Sequence, residues 1–120
     1  MSEKQKLLIV DDSELNRDIL KEILGSRYDY MEAENGTQAI QILEVHPEID
    51  LMLLDINMPQ MNGFQVLEHM RELQWIDEVP VVMISSEESV EIMRKAYDLG
   101  ITDYISRPFD AVIVKKRVQN

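Results

Sequence analysis

Four places in this chain carry residue types that could do chemistry together. Asp55 follows the apolar run Leu51-Met52-Leu53-Leu54 and precedes a turn forced by Pro59. Asp11-Asp12 follow a second apolar run, Leu7-Leu8-Ile9-Val10. Ser85 ends a third, Val81-Val82-Met83-Ile84, and Arg107 stands before Pro108 after the short run Tyr104-Ile105-Ser106. If the acids converge they repel one another and raise one another's pKa unless a cation intervenes. An all-oxygen donor set that only partly fills a coordination shell suits Mg²⁺ (or Mn²⁺), which keeps waters and shares phosphate oxygens. A serine hydroxyl can donate to a phosphoryl oxygen, and a guanidinium forms charge-assisted bonds to phosphate. Carboxylates also act as covalent nucleophiles, so the set suits phosphoryl transfer onto an aspartate.

Each residue has a plainer reading. Asp55 could be a turn or cap residue, and Asp11-Asp12-Ser13-Glu14 could simply start a helix, with acids favouring its dipole. Ser85 could be a loop serine, and Arg107 a solvated arginine or a partner for one acid.

What decides is whether the elements bring these residues together. The apolar runs fit strands buried on both faces. Between the first two lie Leu15, Ile19, Leu20, Ile23 and Leu24 at helical spacing, ended by Gly25. A strand over Tyr28–Ala33 then alternates partially, as near a sheet edge, and leads through Asn35-Gly36 to a short helix marked by Ala39, Ile40 and Leu43 and closed at His46-Pro47. After Gly63 a third helix presents Val66, Leu67, Met70 and Leu73. A fourth has Val90, Met93, Ala96 and Tyr97 as its inner stripe and ends at Gly100. A final helix runs from about Asp110. Five βα units without repeats or linkers predict one α/β domain over residues 1–120, with helices on both faces of a five-stranded parallel sheet. The flavodoxin-like order 2-1-3-4-5 places the carboxyl ends of the first and third strands side by side, and with them Asp11, Asp12 and Asp55.

Composition narrows the classes. The 120 residues include 23 acidic and 12 basic side chains, for a net charge of −11, which opposes direct binding of nucleic acid or an anionic membrane. No cysteine is present, so thiol catalysis and thiolate metal sites are excluded. The first six residues lack the apolar core of a secretory signal, and no run approaches the length of about 18 apolar residues that marks a membrane span, so a cytoplasmic location is expected.

Four blocks fall in order and spacing like those of one known family. Leu8–Asp12, Leu54–Gly63, Pro80–Ser85 and Asp103–Phe109 together resemble the receiver domain of two-component response regulators, chemotaxis receivers included. The resemblance implies that Asp55 accepts a phosphoryl group from a histidine kinase or histidine phosphotransfer protein. It implies that Asp11, Asp12, Asp55 and the Asn57 carbonyl serve a Mg²⁺ site, that Ser85 swings toward the phosphate, and that Tyr104 follows it inward. The face made by the fourth helix, fifth strand and fifth helix, with Met93, Tyr97, Tyr104 and Lys116, would then meet a partner or a second copy in a homodimer. Such a domain signals and catalyses only its own phosphorylation and dephosphorylation. Asn57 and Glu87 occupy positions that tune dephosphorylation in the family.

Arg107 departs from the family's usual lysine, an exchange that is not conservative at a tight phosphate site. The expectation is that phosphorylation survives while its coupling to the switch changes. Ser86 replaces a smaller residue and fits sterically. The final helix, about ten residues long, suggests a domain excised from a longer regulator. The Arg107-Pro108-Phe109 segment resembles receivers joined to cyclic-dinucleotide signalling domains.

Two other classes of reading compete, an interaction module and an enzyme. A phosphorylation-independent pseudo-receiver acting as an interaction module is favoured only by Arg107. An aspartyl-phosphate phosphatase would want a second acid two residues after the nucleophile, where Asn57 stands, and a dinucleotide enzyme would want a glycine fingerprint that is absent. His46 and His69 read as surface residues.

Overall fold

The computed structural model describes residues 4–86 and 89–119. Its strands are β1 (Gln5–Val10), β2 (Tyr28–Ala33), β3 (Leu51–Asp55), β4 (Val81–Ser85) and β5 (Asp103–Ser106). Its α-helices are α1 (Glu14–Leu24), α2 (Gly36–Val45), α3 (Gly63–Glu72), α4 (Val90–Asp98) and α5 (Ala111–Gln119), with a short 3₁₀ turn over Gly25–Arg27. All pairings are parallel and the sheet order is β2-β1-β3-β4-β5, the flavodoxin-like arrangement that the sequence predicts.

The uninterrupted apolar runs are explained by two cores, one on each face of the sheet. Leu8, Val10, Met52, Leu54, Val81 and Met83 point to one side, where α2, α3 and α4 supply Ala39, Leu43, Val66, Leu67, Met70 and Ala96. The alternate residues Leu7, Ile9, Leu53, Val82, Ile84 and Ile105 point to the other, against Leu20 and Leu24 of α1 and Val114 and Val118 of α5. Each fully buried aliphatic chain contributes about 1.5–3 kcal/mol before entropy is subtracted. Two-sided burial fixes strand register, and register fixes which side chain arrives at each strand end.

Local signals set the helix starts. Ser13, Asn35 and Asn62 cap α1, α2 and α3 by accepting the N–H three residues on, and Gln65 completes a reciprocal capping box with Asn62. Asp110 accepts the Ile113 N–H at the start of α5. Gly25 (φ 76°) and Gly100 (φ 106°) end α1 and follow α4 in the left-handed region that favours glycine.

Gly63 is required for another reason. A Cβ there would lie 2.7 Å from the Asp55 carbonyl oxygen and 2.9 Å from Ile56 Cα. The Gly63 N–H meanwhile donates to the Ile56 carbonyl at 2.9 Å. α3 thus begins flush against the backbone that carries Asp55. Gly63→Ala is expected to lower stability by about 1–3 kcal/mol in urea unfolding, because the strand end must move to admit the methyl group.

Three expected stripes hold in part, each with members at the surface. In α1 Leu15 is 68% exposed, and the buried positions are Arg17, Leu20 and Leu24. In α4 Val90 (67%) and Tyr97 (44%) face outward, while Ala96 is buried with Ile92, Met93 and Leu99 packed around it. The stripe that seats this helix is therefore 92-96-99, with the i, i+4, i+7 geometry of a helix lying on a sheet. Leu73 lies just past the end of α3 as its C-cap and is 47% exposed.

Candidate functional site

The three acids do converge. β1 and β3 are neighbours, with Val10 paired to Leu54, so the residues that follow leave the sheet side by side. Carboxylate oxygens of Asp11, Asp12 and Asp55 all lie within 4.8 Å of one another. Asp11 and Asp55 are buried, each 1% exposed, and Asp12 faces solvent. Ser13 takes the cap role at α1, leaving both aspartates for other work.

Asp11 is held at every polar atom. Its N–H donates to the Ala33 carbonyl (3.1 Å), and its carbonyl accepts from Arg17 Nη1 (2.6 Å). Oδ1 accepts the Ser13 N–H (2.9 Å), and Oδ2 accepts from Arg107 Nη2 (2.6 Å). Asp55 Oδ1 takes the Asn57 N–H at 3.2 Å and lies 3.1 Å from the same Arg107 Nη2. Asp55 Oδ2 is buried and has no hydrogen-bond partner among the described residues.

Arg107 is positioned by its main chain. Its N–H donates to the Ser85 carbonyl at 3.0 Å, tying the end of β5 to the end of β4, and its peptide bond to Pro108 is cis. The guanidinium carbon lies 5.9 Å from the centre of the Phe109 ring. Ser85 is fully buried, one position beyond the Asp55–Ile84 pairing of β3 and β4. Asn57 is exposed in the loop between β3 and α3. Tyr104 is buried, 6% exposed, in the core beneath α4. Tyr104, expected to follow Ser85 inward and to belong to the α4-β5-α5 face, has its ring in the core; Met93 is half-buried, and Tyr97 and Lys116 are exposed. Glu87 lies outside the described residues. Ser86 is exposed, as are His69 and, in part, His46.

Burial, and then the neighbouring Asp11 charge, push the Asp55 carboxyl up to about 6, against the opposing pull of Arg107 and the Asn57 N–H. Asp11 is also raised, by burial first, with the Ser13 N–H and Arg107 pulling the other way. The sign of the stability effect follows. Asp55 holds its proton more tightly when folded than when unfolded, so protonation favours the fold, and that gain disappears as pH rises through 6. With divalent ions chelated, Asp55→Asn is expected to be only slightly more stable than the unsubstituted chain near pH 4. By pH 7.5 its advantage grows to roughly 2–3 kcal/mol. Urea unfolding across that range measures the difference; a pH-independent difference would mean that Asp55 titrates normally.

The residues present fit a divalent cation. Three carboxylates within bridging distance, two of them buried, and an orphaned buried oxygen on Asp55 form a hard, all-oxygen donor set. Arg17 and Glu32 were not singled out from the sequence. Arg17, 7% exposed, donates to Glu32 Oε1 at 2.9 Å as well as to the Asp11 carbonyl. Its signal was a cation at the i, i−3, i−7 phase of Leu20 and Leu24.

Fold and site define a doubly wound α/β domain with an acidic crevice at the carboxyl end of its central strands. The family model of the response regulator receiver domain matches residues 7–119, and the chain belongs to that family. A chemotaxis protein CheY homologue of Campylobacter jejuni is 31% identical over 117 residues, covering 96% of this chain and 90% of that protein. CheY1 of Helicobacter pylori is 34% identical, covering 95% and 94%. A probable cyclic di-GMP phosphodiesterase of Vibrio cholerae is 34% identical over 93% of this chain but only 25% of its own length. Among solved structures, CheY4 of Vibrio cholerae superimposes with a TM-score of 0.87 at 28% identity over 98% of both chains. A CheX–CheY–BeF₃–Mg²⁺ complex from Borrelia burgdorferi gives 0.89 at 30% identity, over 96% of this chain and 87% of that one. Receiver domains are signalling domains, and no described helix here is long and apolar enough to cross a membrane.

Proposed function

We propose that this receiver domain is a phosphorylation switch in which Asp55 accepts a phosphoryl group from the histidine of a kinase or phosphotransfer protein. The observation that carries the reading is Asp55 itself. It is a buried carboxylate at the end of the central strand, raised to about 6 and so ionised at neutral pH, with Oδ2 unpartnered among the described residues. An oxygen of Asp55 attacks phosphorus, the phosphorus–nitrogen bond to the donor imidazole breaks, and the imidazole leaves with a proton. Asp11, Asp12, Asp55 and the Asn57 carbonyl would hold Mg²⁺ or Mn²⁺, which when bound neutralises the charge shared by the carboxylates and the phosphoryl oxygens.

Arg107 already spans Asp11 and Asp55, and a phosphoryl group on Asp55 offers its guanidinium a better, bidentate acceptor. Ser85, at the adjoining strand end, would donate its hydroxyl to a phosphoryl oxygen. Movement there changes the packing above Tyr104 and so the α4-β5-α5 surface, where Val90 and Tyr97 are exposed. That surface meets the partner, an output domain or a second copy. The phosphodiesterase relative and a structural neighbour named as a response regulator/GGDEF domain protein support an output in cyclic-dinucleotide signalling. The domain would then be one part of a longer regulator.

The test is intact-protein mass after incubation with acetyl phosphate and Mg²⁺. Gain of one phosphoryl group that a chelator prevents is expected. No gain from acetyl phosphate or from a phosphorylated histidine donor would favour the pseudo-receiver reading, for which Arg107 lying across the two acids is the one supporting observation.

A further inference from the structure

Helix α1 breaks the pattern of an amphipathic helix next to the acidic crevice. It leaves Leu15 68% exposed and buries the charged Arg17 to 7% exposure, in line with Leu20 and Leu24. A guanidinium taken out of water costs several kcal/mol unless its donors are satisfied. Exchanging a leucine for it at the core-facing position gains nothing for packing. Such a local contradiction marks a place where something other than burial is served.

The contacts show what that is. Nη1 donates to the main-chain carbonyl of Asp11 at 2.6 Å, and Nε donates to Glu32 Oε1 at 2.9 Å on the neighbouring strand β2. The other Glu32 oxygen accepts from Lys21 Nζ at 2.9 Å, and Lys21 pairs with Asp18 at 3.3 Å on the outer side of α1. Glu32 is correspondingly held below the usual carboxylate range: burial would raise it, and the Lys21 and Arg17 hydrogen bonds outweigh that. The Arg17 fork therefore ties α1 to β2 and grips the backbone of Asp11 at its carbonyl.

From this arrangement we infer that Arg17 is a positioning residue for the cation site, braced by Glu32, which sets the height of the Asp11 carboxylate relative to Asp55. The inference rests on the reading of the three acids as a divalent-cation site and adds a part that touches neither cation nor phosphoryl group. The Asn16 side chain, also from α1, hydrogen-bonds the Asp11 carboxylate, whereas the main-chain carbonyl is held by Arg17. Without that grip on the carbonyl the turn into Asp12 can rotate, and the spacing of the two buried carboxylates goes with it. Groups that orient metal ligands in this indirect way are worth about 10–100-fold in affinity.

The experiment is Mn²⁺ titration of the whole chain by electron paramagnetic resonance, with thermal unfolding of the metal-free protein alongside. Arg17→Met is expected to weaken Mn²⁺ binding about tenfold. Glu32→Gln, which loosens the brace without removing it, is expected to weaken binding less. Lys21→Met, which disturbs only the solvent side of the network, is expected to leave it unchanged. Wild-type Mn²⁺ affinity in Arg17→Met together with a lower melting temperature would overturn the inference, since Arg17 would then serve packing alone. If Arg17→Met does not fold, Glu32→Gln decides, and unchanged affinity there overturns the inference. An unsubstituted chain that binds Mn²⁺ but takes up no phosphoryl group would sink the phosphoacceptor reading while leaving the Arg17 comparison intact. One that binds no Mn²⁺ would overturn both.

Discussion

Asp55→Asn is expected to remain at its unmodified mass under conditions in which the unsubstituted chain gains one phosphoryl group. The amide retains the shape of the side chain and can still accept the Asn57 N–H, so the fold has no reason to fail. It has no anionic oxygen with which to attack phosphorus, and that loss is complete rather than graded. The raised pKa of Asp55 sharpens the comparison: the inactive variant should also be the more stable one at neutral pH. A variant that is both more stable and unreactive marks a residue kept for chemistry against the interest of folding. Phosphoryl uptake by Asp55→Asn, located by peptide mass mapping on another residue, would move the acceptor elsewhere and remove the central element of the reading.

The second large effect is expected at Arg107. Its Nη2 is 2.6 Å from Asp11 and 3.1 Å from Asp55, both 1% exposed, so Arg107→Met leaves two buried acids facing each other with no side-chain cation between them. In chelator the cost is expected to be about 3 kcal/mol, in the range for breaking a buried ion pair on one side. A divalent cation can take the place of the guanidinium between the same oxygens, so saturating Mg²⁺ should cancel most of that loss. The thermodynamic cycle then requires Mg²⁺ to bind Arg107→Met more tightly than the unsubstituted chain, by up to about a hundredfold at 1.4 kcal/mol per factor of ten. Calorimetric titration and urea unfolding with and without Mg²⁺ measure the two sides of the cycle. Equal stability and equal Mg²⁺ affinity in both proteins would show that the guanidinium contributes nothing where it lies. Arg107→Lys keeps a cation and should fall between the two.

Most of the architecture was legible because two-sided burial writes itself into sequence as uninterrupted apolar runs. Leu7–Val10, Leu51–Leu54 and Val81–Ile84 could hardly be anything but central strands, and the acids and serine that end them could only arrive at one edge of the sheet. The helices were less transparent. Periodicity counts apolar residues and so assigned Leu15 to the core, whereas the position facing the strand ends is taken by a cation that hydrogen-bonds the Asp11 carbonyl. In α4 the apolar residues outnumber the places available against the sheet, and only tertiary contact selects Ile92, Ala96 and Leu99 over Val90 and Tyr97. Tyr104 lies on a short strand buried on both faces, where the sequence does not say which core takes which side chain. Glu32, on the edge strand, carried no signal of its own in the sequence because its partners come from a helix earlier in the chain.

The Arg107–Asp11 contact joins residues 96 apart in sequence. During synthesis the first three strands leave the ribosome before the fifth exists, so the side chain that bridges Asp11 and Asp55 in the folded domain is the last part of this site to be made. A cation from solution can occupy the same place between the two acids. The electrostatic balance of this sheet is therefore completed at the end of its fifth and last strand.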